Sequence, residues 1–308
     1  MTEQNGPVLV TGANGHLGRR LLRRLVGERE LVAVVRSERA RAQIEALALT
    51  PAPRIAVLEY GDAAALGTAA RGCSHAAHLV GILKEGSNSS YTAAHEDSAA
   101  ALAEAADAAG LARVVLLSIL GSRPASSNAC LASKGRSETI LRDARTPLLV
   151  LRVPMVLGEG DFASRALAGQ AGAPFAALVR GGASLEQPIY AGDVVDAIVA
   201  GITREGLDAV ALDLAGPESL SRRALLARAV AVVDGTMPKI LPVPFFFNRA
   251  AAWLFERLLS DPPLTRAMLG VLDHDDSVDV RPACTRLGIE LTTLDETLRR
   301  CIPRESSQ

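Results

Sequence analysis

Residues 8–22 read "VLVTGANGHLGRRLL": an apolar run of strand-forming residues, a turn holding three glycines, then leucines at helical spacing. Gly12, Gly15 and Gly18 stand at intervals of three between strand and helix. Dinucleotide binding needs that arrangement. The first glycine allows the tight turn, the second lets backbone approach a pyrophosphate, and the third lets helix pack on strand. The free N–H groups of the helix N-terminus then face the anion. Thr11, Gly12, Asn14, Gly15, His16, Leu17 and Gly18 are the expected cofactor contacts. A turn without a ligand is the alternative, but three glycines so spaced meet no evident packing need.

Outward from this turn, strands and helices alternate. "ELVAVVRS", "RIAVLEYGD", "HAAHLVG", "VVLLS" and "LLVLRV" read as strands buried on both faces, with alanine-rich helical stretches between them. Strict alternation implies right-handed crossovers and an α/β, Rossmann-type doubly wound parallel sheet. After Pro154 the pattern loosens. Residues 1–160 are expected to form the cofactor-binding domain, with 186–215 returning to it. Residues 161–185 and 216–308 are expected to form a smaller, mainly helical lobe. Thr293 and Glu296 have capping-box spacing at the last helix.

Composition narrows the function. The chain has 308 residues, 49% of them apolar, and a net charge of −1. That balance and the lack of a basic stripe with interleaved aromatics argue against nucleic acid. Cys73, Cys130, Cys284 and Cys301 are scattered without metal-ligand spacing, so no metal is expected. Separated thiols and a polar start running directly into a strand suggest a reducing, cytoplasmic setting. No apolar run reaches the roughly 18 residues of a membrane span. Five of the ten aromatic residues fall between Phe245 and Phe255. Core packing is one reading of that cluster, and a partner or peripheral membrane surface is the other.

"TGANGHLG" resembles the TGxxGxxG turn of the short-chain dehydrogenase/reductase superfamily, in its extended and atypical members. "YGD" (60–62), "HLVG" (78–81), "LRVPMVLGEG" (151–160) and "QPIYAGDVVDAI" extend the resemblance over most of the chain. "AHLVGILKEGS", "LLSILGS" and "PPLTRAMLGVLDHD" are similar to the nucleotide-binding accessory subunits of respiratory complex I and their bacterial relatives. The resemblance implies that Asp62 lies beside the adenine, that Gly81 passes close to the cofactor, and that Pro154 follows the sixth strand near it. At the end of strand two the chain carries Arg36, which suits the 2′-phosphate of NADP(H). NAD(H) is the other candidate.

The superfamily's catalytic set is a tyrosine, a lysine four residues later and a serine near strand five. In "SNACLASKGRS" (127–137), Lys134 matches the lysine, Cys130 stands at the tyrosine position, and Ser118 lies near the serine position. Spacing i, i+4 puts Cys130 and Lys134 on one helix face. Lys134 is expected to lower the thiol's pKa, from a reference already nearer neutrality than a phenol's. Against catalysis, the sulfur stops roughly 4 Å short of a tyrosine hydroxyl, beyond direct proton transfer. Cys130 also reads as a small buried hydrophobe. Tyr91, Tyr190 and His95 are further candidates, with Tyr190 expected to pack against the lobe and Asp193 to cap its helix. Two functions fit: a nucleotide-binding structural, assembly or sensing component, or an NADPH-dependent reductase of a small carbonyl or quinone-like substrate.

Overall fold

The computed structural model describes residues 6–243, 265, 267, 270 and 275–302. Segment 245–255, with the aromatic cluster, lies outside the described residues. Contacts divide the chain into two compact units: 1–152 with 194–212 and 286–288, and 153–193 with 213–285 and 289–308.

The first unit alternates as its sequence suggests. Its elements are β1 (Val8–Thr11), α1 (His16–Leu25), β2 (Leu31–Val35), α2 (Glu38–Glu45), β3 (Arg54–Val57), α3 (Ala63–Ala70) and β4 (His75–His78). A π-helical segment, Thr92–Asp97, runs into α4 (Ser98–Ala109), followed by β5 (Arg113–Ile119), α5 (Ala129–Arg142) and β6 (Leu148–Val153). Strand Val210–Asp213 completes a seven-stranded sheet in the order Val210–Asp213, β6, β5, β4, β1, β2, β3. β1 pairs in parallel with both β2 and β4. The chain's progression therefore reverses beside β1, and the crevice beyond the strand C-termini there is where such sheets take ligands.

Burial on both faces explains why the strands read as continuous apolar runs rather than alternating ones. Val8, Leu9 and Val10 are fully buried, as are Leu116, Leu149 and Leu151. Helix Ala191–Thr203 meets the same sheet through Gly201, where an added Cβ would lie 2.6 Å from Leu149 Cδ2. Arg113 caps that helix by donating to Gly201 O at 2.7 Å and Arg204 O at 2.8 Å.

The second unit adds short strands to its mainly helical character. Phe175–Val179 pairs in parallel with Lys239–Val243, and Val156–Leu157 with Ile189–Tyr190. Leu185–Glu186 pairs antiparallel with Leu220–Ser221. These strands are too short for periodicity to reveal, and their partners lie far along the chain. The pairing of Val156–Leu157 with Ile189–Tyr190 also draws 153–193 together, so the first unit ends earlier and its return segment is shorter than expected. Helices Phe162–Ala171, Arg222–Val232 and Leu294–Cys301 enclose a core that includes Leu157, Leu167, Leu225, Leu226 and Leu298. Thr293 caps the last of these, accepting from Glu296 N at 3.3 Å. Asp193 lies in the first turn of helix Ala191–Thr203. Its carboxylate accepts from Thr292 N at 2.8 Å and Thr292 Oγ1 at 2.7 Å, tying two distant stretches of this unit.

Candidate functional site

The glycine turn has the shape its sequence demands. Gly12 has φ +71°, and a Cβ there would meet the Leu79 carbonyl carbon at 3.0 Å, so β1 passes the end of β4 only without a side chain. A Cβ on Gly18 would lie 2.5 Å from Gly12 O. Helix α1 starts at Gly15 with no side-chain cap and no acidic residue in its first turn. Its leading N–H groups, from His16, Leu17 and Gly18, are thus left for an anion. Asn14 Nδ2 donates to Gln43 Oε1 at 3.2 Å, which ties the turn to α2. The cradle fits a dinucleotide's pyrophosphate.

Tyr60 supports the turn from below, and the sequence reading missed it. Its hydroxyl accepts from Gly12 N at 3.1 Å and donates to Val34 O at 3.3 Å. Burial raises its pKa above a free phenol's, so the hydroxyl keeps its proton for Val34. The Arg36 guanidinium lies over the Tyr60 ring, 5.6 Å from its centroid. A cation therefore stands beside the turn. Asp62 caps α3, accepting from Ala65 N at 2.9 Å. Pro154 falls in the second unit.

The second half of the site gathers at the ends of β4 and β5. Lys134 is 4% exposed, and its Nζ donates to Val80 O at 3.0 Å and Leu117 O at 3.1 Å. A Cβ on Gly81 would lie 3.2 Å from that Nζ and 3.6 Å from His95 Nε2. Gly81, Lys134 and His95 thus meet in one corner. Burial pushes the Lys134 ammonium down to about 8. His95 Nε2 accepts from Ile82 N at 3.1 Å, so its proton sits on Nδ1, which has no hydrogen-bond partner. Burial, then Lys134, hold this imidazole neutral, with its pKa lowered to about 3.

The thiol at the tyrosine position departs from expectation. Cys130 is fully buried, and its Sγ contacts Ile82 O at 3.6 Å. Burial drives its pKa up to about 11, outweighing the lowering by Lys134. Desolvation wins because the thiolate would have no water and one nearby cation. Ser118 is also committed. Its Oγ donates to Glu138 Oε1 at 2.6 Å, and Arg152 Nη2 donates to Glu138 Oε2 at 2.6 Å. The hydroxyl serves a buried ion pair under α5. Tyr190 donates to Glu159 Oε1 at 2.6 Å within the second unit, consistent with packing. Tyr91 does reach the corner, donating to Leu83 O at 2.9 Å and stacking on His95 at 5.6 Å.

A family model described as NAD(P)H-binding matches residues 12–180, more than half of the chain. The chain belongs to this NAD(P)H-binding family. A ceramide reductase from Caulobacter vibrioides is 34% identical over 162 residues, 52% of this chain and 49% of that protein. The chain thus matches about half the length of that curated relative. The crystal structure of gox2253 shares the fold with TM-score 0.75 at 20% identity, over 96% of both chains. UDP-glucuronic acid 4-epimerase from Bacillus cereus in complex with NAD does so with TM-score 0.72 at 16% identity, over 96% and 97%. Among the described residues no helix is long and apolar enough to cross a membrane, and no group of three or more His, Cys, Asp or Glu could hold a metal ion.

For this NAD(P)H-binding protein the Lys134 value gives a direct expectation. As an ammonium Lys134 keeps one proton beyond the two given to Val80 O and Leu117 O, and above about 8 it loses charge and that donor together. Cofactor affinity should therefore be full below pH 8 and fall by about tenfold or more by pH 9.5. Calorimetric titration of NADPH across that range checks it. Lys134→Met should bind weakly with a flat profile, and a flat profile in the parent protein would remove Lys134 from the site.

Proposed function

We propose that the chain is an NADPH-dependent reductase of a carbonyl carried on a lipid-like substrate. The observation that carries this is Lys134. A buried ammonium is costly unless its donors are used, and two strand-end carbonyls take only two of its three. The third suits a nicotinamide ribose beside Gly81. The partial likeness to a ceramide reductase supports a reduction and a lipid-like substrate.

In this reading the reduced nicotinamide, when bound, supplies the reducing equivalents. The N–H groups at the start of α1 hold the pyrophosphate, Arg36 the 2′-phosphate, and Lys134 the ribose. Gly81 leaves room for the ring. The test is single-turnover oxidation of protein-bound NADPH by a long-chain ketone. Loss of reduced-cofactor absorbance in step with alcohol formation supports the reading.

A second reading is a nucleotide-holding structural, assembly or sensing component. The buried, non-acidic thiol at Cys130 and the committed hydroxyl of Ser118 favour it, as does the sequence likeness to complex I accessory subunits. Tight NADPH binding with no turnover on any ketone is its expected result.

Cofactor choice rests on Arg36. Two of the similar solved structures, MoeE5 and the Bacillus cereus epimerase, hold NAD. This chain should instead bind NADPH about tenfold more tightly than NADH, a difference of about 1.4 kcal/mol. Arg36→Glu should reverse the order, and equal affinities in the parent protein would end the assignment.

A further inference from the structure

The phenol missing from α5 is supplied by a neighbouring element. Tyr91 leads into the π-helical segment, a distortion often found at functional sites. Its hydroxyl donates to Leu83 O, while the thiol of Cys130 rests on Ile82 O. Phenol and thiol thus sit on consecutive carbonyls. That places the phenol beside the thiol that stands at the tyrosine position. We infer that Tyr91, not Cys130, gives the proton to the substrate oxygen, an inference that rests on the reductase reading.

The ring is held as a positioned acid needs to be. Tyr91 N donates to Glu85 Oε1 at 2.7 Å, and Tyr91 O accepts from Ser133 Oγ at 3.2 Å. Ser133 belongs to α5, between Cys130 and Lys134, so the tyrosine is anchored to the helix that carries the lysine. His95 stacks on the ring with an interplanar angle of 30° and is itself fixed by Ile82 N. Leu83, whose carbonyl accepts the phenol's hydrogen bond, is 50% exposed. Cys130 has no exposed surface at all.

The step balances. The carbonyl carbon accepts one hydrogen and two electrons from the reduced cofactor as its π bond to oxygen breaks. The oxygen takes the Tyr91 hydroxyl proton, exchanging Leu83 O for the substrate as acceptor. Water returns a proton to the phenolate. Carbonyl, reduced cofactor and one proton become alcohol and oxidised cofactor.

Tyr91→Phe keeps the ring on His95 and removes only the hydroxyl. Its single-turnover rate with a long-chain ketone should fall about a hundredfold or more, with NADPH affinity and thermal midpoint unchanged. Fluorotyrosine at position 91, a more acidic phenol, should move the pH–rate profile to lower pH, which a structural role would not do. Tyr91→Phe turning over within about threefold of the parent, NADPH affinity falling in step with the rate, or an unmoved profile each overturns the role of Tyr91 and leaves the reductase reading standing. A parent protein that no ketone can oxidise overturns that reading and this inference together.

Discussion

Lowering the pH from 7 to 5 should cost the first unit about 6 kcal/mol of stability through three histidines. His75, His78 and His95 are each no more than 5% exposed. Burial lowers their pKa values to about 4, 3 and 3. Neighbouring cations add to this: Arg113 and Arg29 at His75, Lys134 at both others.

Their hydrogen bonds require the neutral ring. Ser98 Oγ donates to Ala94 O at 2.7 Å, so it accepts from His78 Nε2 at 3.3 Å. His78 Nδ1 must then accept from Thr11 Oγ1 at 2.7 Å, and has no place for a proton. The unfolded chain takes up protons near 6.5 while the folded one does not, so stability present above 6.5 is lost as pH falls toward 4 and 3. By pH 5 each group contributes a loss of about 2 kcal/mol. Against a typical stability of about 5–15 kcal/mol, the total brings the unit close to unfolding. Urea denaturation at both pH values measures it, and His78→Gln should shrink the difference by about a third. A loss below about 2 kcal/mol would mean these rings accept protons in place.

How much of this was legible in the sequence depends on chain distance. The glycine turn, the alternation around it and the Cys130–Lys134 pairing are local patterns, and the structure keeps each of them. The short strands Phe175–Val179 and Lys239–Val243 were not legible, because each is stabilised by a partner some sixty positions away. Contacts at Tyr60 and Ser118 were hidden for the same reason: one hydroxyl reaches back 48 residues to Gly12, the other forward 20 to Glu138. Spacing did put a cation beside Cys130, but spacing carries no information about desolvation. It therefore gave the wrong direction for the thiol's acidity. Tyr91 was visible as a residue type near the fourth strand, yet only the fold brings its hydroxyl to the corner.

Gly18→Ala should abolish dinucleotide binding while leaving the sheet folded, and it tests the feature from which the whole reading starts. The new Cβ would lie 2.5 Å from Gly12 O and 2.6 Å from Ala13 O. Both atoms are backbone of the same turn, so no side chain can swing aside, and α1 must move away from β1. The N–H groups at the start of α1 move with it, off the position where they face a pyrophosphate. Those groups have no side-chain cap to hold them otherwise. Charge-assisted hydrogen bonds weaken steeply with such misalignment, and a loss of about a hundredfold in NADPH affinity, about 2.7 kcal/mol, is expected. Gly67→Ala is the control. It lies within α3 with nothing inside 4 Å of its added Cβ, so it should bind normally and gain about 1 kcal/mol of stability from helix propensity. Calorimetry for binding and circular dichroism for the fold separate the outcomes. Binding by Gly18→Ala within about threefold of the parent would show that the third glycine serves packing alone, and the cradle would have to be sought elsewhere along the strand ends.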